Sequence, residues 1–131
     1  MKNFKKILLV FLVFILCAGV FAYSKINSIS KKSVSSIKIS DLDLSAVKDG
    51  TYLGEYTSSP CAAKVEVTIK NHQIKSINLI EHQKGLGGKA ETILDDVVKS
   101  QSLEVDTVSG ATLSSKVILK SIENAIVKGV N

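Results

Sequence analysis

The chain has 131 residues, no Trp, 5% aromatics and a formal net charge of +5, so it folds at most one small domain around an aliphatic core. All 17 of its cations are lysine, with no arginine to grip a guanine edge bidentately, and this argues against a nucleic-acid partner. From Asp41 onward ten lysines meet twelve carboxylates; the excess cations flank an apolar run near the N-terminus, so the basic balance is a membrane-proximal feature.

Residues 7–23 (ILLVFLVFILCAGVFAY) carry no charge and follow Lys2, Lys5 and Lys6. At ~1.5 Å per residue this run approaches the roughly 30 Å of a bilayer's hydrocarbon core. Two readings stay open. As a signal anchor it remains, with residues 1–6 in the cytoplasm and the rest exported. As a signal peptide it is cut after Ala22, where Val20-Phe21-Ala22 loosely fits the small-x-small rule. A lipidated Cys17 fits less well, because Leu16 precedes it where a small residue is expected. Either main reading places the domain outside the cytoplasm, and the anchor makes a single-pass protein of the cell membrane. Cys17 lies in the apolar run and Cys61 in the domain, which argues against an intramolecular disulfide. Residues 24–45 are expected to be a linker, Ser/Lys-rich as far as Ser40 and without a sustained period, either flexible or resting on the membrane surface.

Residues 46–131 are expected to form the domain. Asp49-Gly50 signals a turn, and residues 51–57 alternate as a strand until Ser58-Ser59-Pro60 breaks it. Residues 63–70 (AKVEVTIK) alternate strictly, with Val65, Val67 and Ile69 on one face, as in a half-buried antiparallel strand. Asn71-His72 then makes a tight turn and residues 74–81 resume alternation, giving a hairpin and, with the first strand, a meander. A glycine-rich loop (HQKGLGG, residues 82–88) leads into helical spacing over residues 89–99, with Ala90, Ile93, Leu94, Val97 and Val98 on one stripe. A second amphipathic helix is predicted over residues 114–127. The fold class is α+β: a small antiparallel sheet with two helices packed on it, preceded by an N-terminal transmembrane helix.

The stretch SGATLSS (residues 109–115) crowds the hydroxyls of Ser109, Thr112, Ser114 and Ser115 around Gly110 at the start of that last helix. A helix N-terminus presents unpaired N–H groups and about half a positive charge, which favours a phosphate. An ordinary N-cap accounts for one such hydroxyl equally well.

Asp106-Thr107-Val108-Ser109-Gly110-Ala111-Thr112 resembles the flavinylation motif of the FMN-binding domain family, which includes flavin subunits of sodium-pumping NADH:quinone reductases and Rnf-type complexes. The resemblance runs in order from Asp49-Gly50-Thr51-Tyr52 through the hairpin and Glu81-His82 to the final helix. It implies that an extracytoplasmic flavin transferase cleaves FAD and esterifies FMN, through its phosphate, to Thr112. Asp106 would serve the transferase or fix the loop, Ser109, Gly110 and Ala111 would shape the backbone, and Ser114 and Ser115 would donate hydrogen bonds to phosphate oxygens. Gly85, Gly87 and Gly88 would let backbone N–H groups approach the flavin, with Lys89 opening the next helix; a plain β-to-α connection explains the same glycines. His82 reads either as a flavin contact or proton carrier, or as a solvated loop residue. Family members often have glycine and an aromatic between the first two strands, where this chain has Ser58-Ser59-Pro60-Cys61-Ala62; Tyr56 and Cys61 are the candidates to replace them.

The resemblance implies an electron carrier rather than a stand-alone enzyme, taking electrons from a membrane redox donor and delivering them to an extracytoplasmic acceptor. The rival expectation is a non-redox sensor or adaptor domain that binds FMN weakly or not at all. No residue set resembles a metal or nicotinamide site.

Overall fold

The computed structural model describes residues 2–83 and 88–130. The chain divides into two compact units, residues 1–32 and 33–131. The first is the greater part of helix α1 (Lys2–Ser36). Its segment Asn3–Lys25 has a mean hydropathy of 2.7, with none of the window buried against protein, and is long and apolar enough to cross a membrane.

The second unit is the predicted α+β sandwich. Strands β1 (Gly50–Ser58), β2 (Cys61–Lys70) and β3 (Gln73–Gln83) form an antiparallel meander with β2 in the centre. Helices α2 (Ile93–Ser100) and α3 (Thr112–Val127) follow. The alternation of β2 is realised in full: Cys61, Ala63, Val65, Val67 and Ile69 are buried, and the residues between them are half-exposed. Together with Ile93, Val97, Val117, Ile118, Ile122 and Ile126 they make the core. The Asn71-His72 turn has both residues at positive φ (54° and 59°), the geometry of a two-residue type I′ hairpin.

Two close fits set the layer spacing and the strand edges. At Gly54 an added Cβ would lie 2.0 Å from the Ser121 carbonyl oxygen and 2.5 Å from the Ala125 nitrogen, so β1 meets the backbone of α3 directly. On the far edge, the Gln101 side chain pairs with the backbone of Ile74 as a neighbouring strand would. Its Oε1 accepts from the Ile74 N–H (2.8 Å) and its Nε2 donates to the Ile74 carbonyl (2.9 Å). On the β1 edge, Asn124 and Lys128 donate to the carbonyls of Glu55 and Leu53. Side chains thus occupy edge groups that would otherwise template another strand.

Two expectations change in detail. The segment following the apolar run is helical as far as Ser36, and the compact unit begins at Ser33 rather than at residue 46. Ile37 is 4% exposed, and the chain beside it lies along α3. Lys116 Nζ donates to the Val34 carbonyl and Lys120 Nζ to that of Lys38, both at 3.0 Å. Isolated apolar residues in a Ser/Lys-rich stretch have no period to betray them, yet Ile37, Ile39, Leu42 and Leu44 all pack on the core. The predicted helix over residues 89–99 is instead a 3-10 turn, Gly88–Thr92, followed by α2.

Candidate cofactor site

The approach to α3 is a turn closed by a hydrogen bond from the Ala111 N–H to the Val108 carbonyl (3.0 Å). Gly110 sits within it at φ +77° with open space where a Cβ would point. The left-handed backbone, and not crowding, is what glycine serves here. Ser109 and Gly110 are exposed, and Ala111 stands at the N-cap, where the helix has no side-chain cap hydrogen bond. Thr112 is the first residue of α3 and is half-buried; among the described residues its hydroxyl forms no hydrogen bond.

The two serines that follow face inward. Ser115 is fully buried, and its Oγ accepts from the Val108 N–H (3.0 Å) while donating to the Ala111 carbonyl (2.8 Å). It therefore clips the turn onto the helix. Ser114, 1% exposed, donates to Cys61 Sγ at 3.3 Å. The resemblance would have both serines donate to phosphate; in the described structure each hydroxyl is turned into the protein. Of the four hydroxyls, Thr112 and the exposed Ser109 remain on the accessible side.

Asp106 is exposed, six residues before Thr112. It lines an open cleft of about 570 Å³ with Asp96, Lys99, Ser100, Glu104 and Val105. Its carboxylate is therefore within reach of another protein.

His82 is not solvated. Strand β3 carries one extra residue where Val65 pairs with Leu79 but Lys64 pairs with Glu81, which makes Ile80 a bulge. Strict alternation would turn Glu81 inward; the bulge turns Glu81 outward and places His82 on the inner face, opposite Ala63. The His82 side chain is 2% exposed, with Nδ1 3.1 Å from Glu91 Oε1. Its Nε2 is buried and, among the described residues, has no hydrogen-bond partner. The pairing of His82 with Glu91 was missed in the sequence; a histidine nine residues before a glutamate, across a glycine-rich loop, carries no pattern that would reveal it.

Of the glycine loop, Gly85 and Gly87 lie outside the described residues. Gly88 opens the 3-10 turn, and Lys89 is exposed, its carbonyl accepting from Thr92 Oγ1 at 3.1 Å. Tyr56, Ala63 and His82 form one row across the inner face, and Cys61 lies one pleat further along β2 toward the mouth of α3.

The residues present suit a flavin mononucleotide on two counts. An uncapped helix N-terminus beside an open hydroxyl suits the phosphate, and a buried unpaired acceptor at the same end of the sheet needs a donor. Among the described residues no group of His, Cys, Asp or Glu is arranged to hold a metal.

Comparison with curated proteins gives no match. The sequence profile of the FMN-binding domain matches residues 62–127, from β2 to the end of α3, and so takes in His82, Asp106 and Thr112. That match covers half of the chain, and the chain belongs to the FMN-binding domain family.

Proposed function

We propose that this chain is a membrane-anchored, extracytoplasmic electron-transfer flavoprotein that carries FMN esterified through its phosphate to Thr112. The observation that carries the reading is the position of Thr112 within D-x-x-S-G-A-T: first residue of a helix with no side-chain cap, hydroxyl unengaged among the described residues. A phosphodiester there keeps one negative charge beside the first-turn N–H groups and the positive end of the α3 dipole. The ester in effect supplies the missing cap.

Attachment requires a flavin transferase. The Thr112 hydroxyl attacks the FMN phosphorus of FAD, the pyrophosphate bond breaks with AMP as leaving group, and the hydroxyl proton is lost to the transferase's base. The exposed Asp106 supports a role as a docking or positioning carboxylate for that enzyme. Lysines flank both ends of the apolar helix, so the outward placement of the domain rests on the attachment chemistry rather than on charge asymmetry. A cofactor that would diffuse away outside the cell is the one that gains from a covalent tether. When bound, the flavin supplies the redox chemistry; the protein supplies the tether, the orientation and the electrostatic surroundings. Its partners in this reading are a redox donor in the membrane and an extracytoplasmic acceptor.

Intact-mass analysis after co-expression with a flavin transferase, followed by peptide mapping, tests the proposal. The mass of one FMN on the peptide containing Thr112 is expected, surviving denaturation, lost in Thr112→Ala and kept in Thr112→Ser. Denaturation-resistant flavin on Thr112→Ala would overturn the assigned acceptor.

A further inference from the structure

We infer that His82 contacts the cofactor directly: its Nε2 accepts a hydrogen bond from an N–H or O–H donor of the bound FMN, with Glu91 holding the ring in position. The inference rests on the reading that FMN is carried at Thr112 and adds to it a second, non-covalent point of attachment.

Three independent features of the structure converge on this nitrogen. The first is backbone geometry. The second of two register shifts along β3, the bulge at Ile80, has the effect of bringing His82 to the inner face; bulges are used in this way to re-aim side chains near functional sites. The second is the hydrogen-bond geometry. With Glu91 Oε1 at 3.1 Å, Nδ1 is placed as the ring's donor, which in the neutral ring leaves the lone pair on Nε2, the arrangement in which a carboxylate fixes both tautomer and ring orientation. The third is the orphaned atom. A buried acceptor without a partner is rare in folded proteins, and His82 Nε2 is the buried side-chain atom in that condition among the described residues.

Position ties the atom to the flavin. His82 sits opposite Ala63, two residues along β2 from Cys61, and Cys61 is in contact with Ser114 in the first turn of α3. Diagonal neighbours across a sheet are about 7–8 Å apart. His82 and the Thr112 hydroxyl therefore occupy the same end of the sandwich, separated by a distance that a flavin anchored by its phosphate can span. The donors FMN offers are its ribityl hydroxyls and the N3–H of its ring; Nε2 as a lone-pair acceptor is suited to either.

The test uses the full chain in detergent, labelled with ¹⁵N in histidine, with and without flavin loaded by co-expressed transferase. Long-range ¹H–¹⁵N correlation reads both ring nitrogens of the protein's two histidines. Expected is an unprotonated, unbonded Nε2 at His82 before loading, and a shift of that resonance toward the hydrogen-bonded position after loading. His72, in the hairpin turn at the other end of the sheet, should stay unchanged and serves as the internal control. In loaded His82→Ala the flavin mass should persist while the fluorescence anisotropy of the ring falls, and His82→Gln, which retains an acceptor, should recover part of it. An unshifted Nε2 in a chain that mass analysis shows to be fully loaded would overturn this inference alone. Absence of covalent flavin from the wild-type chain would overturn the parent reading and this one with it.

Discussion

Two hydroxyls three residues apart on α3 have opposite duties. Thr112 makes no hydrogen bond among the described residues, whereas Ser115 joins the Val108 N–H to the Ala111 carbonyl. On the proposed attachment, Thr112→Ala should yield a chain without covalent flavin, and the absence of a hydrogen bond to lose should leave its stability within about 0.5 kcal/mol. Ser115→Ala should do the reverse. It leaves the part-buried Val108 N–H without its side-chain partner, a loss of about 1 kcal/mol, and keeps the Thr112 hydroxyl in place. Chemical denaturation and intact mass on the same two variants separate the roles. A third residue-scale prediction concerns Asp43, which accepts from the Ser45 hydroxyl (2.6 Å) and the Ser45 N–H (2.9 Å). These bonds, the hydroxyl's first, hold the Asp43 carboxyl below the usual carboxylate range. A lowered folded-state pKa means the stabilisation is present above the ordinary carboxylate pKa and is lost as pH falls through the lowered one. Ser45→Ala should move the Asp43 titration back up, as read by carboxyl ¹³C shifts.

At the scale of elements, Gly54 is where β1 and α3 meet backbone to backbone. Gly54→Ala sets a methyl 2.0 Å from the Ser121 carbonyl oxygen, so the helix must move off the sheet. A destabilisation at or beyond the 1–3 kcal/mol typical of overpacking is expected, visible as a lower denaturation midpoint. Gly54 has no signature in the sequence, since a glycine in a strand reads equally as a weak spot. What could be read was whatever is periodic or contiguous: β2 from its strict alternation, the hairpin turn from Asn71-His72, α2 and α3 from their apolar stripes, and the loop before α3 from the seven consecutive residues 106–112. His82 was hidden because its orientation depends on a bulge, and a single extra residue inverts every inside–outside assignment after it. The inward turn of Ser114 and Ser115 was hidden for a related reason. Serine looks the same in a sequence whether it caps a helix, faces a ligand or satisfies a buried neighbour.

At the scale of the whole chain, the segment between the apolar helix and the first strand decides where the folded unit begins. Within the domain unit α3 is buried around most of its surface, with the sheet on one side and residues 34–47 contributing on another. Glu123, 8% exposed, is paired with Lys120 Nζ at 2.9 Å and accepts from the Ser40 N–H at 3.4 Å. Asp41 accepts from the Leu103 N–H and the Ser102 hydroxyl, and Val47 bridges to Val130. A chain begun at residue 33 should therefore fold cooperatively without the apolar helix, because its contacts are internal to that unit. A chain begun at residue 49 should not match it. It loses the buried side chains of Ile37 and Val47, each worth roughly 1.5–3 kcal/mol on full burial, and it strips Glu123 of a backbone donor. The expected gap is at least 3 kcal/mol by chemical denaturation, a large share of the stability of a small domain. Equal midpoints for the two chains would show that residues 34–47 are the passive tether their composition suggests, and that the domain is built from the strands and helices after them alone.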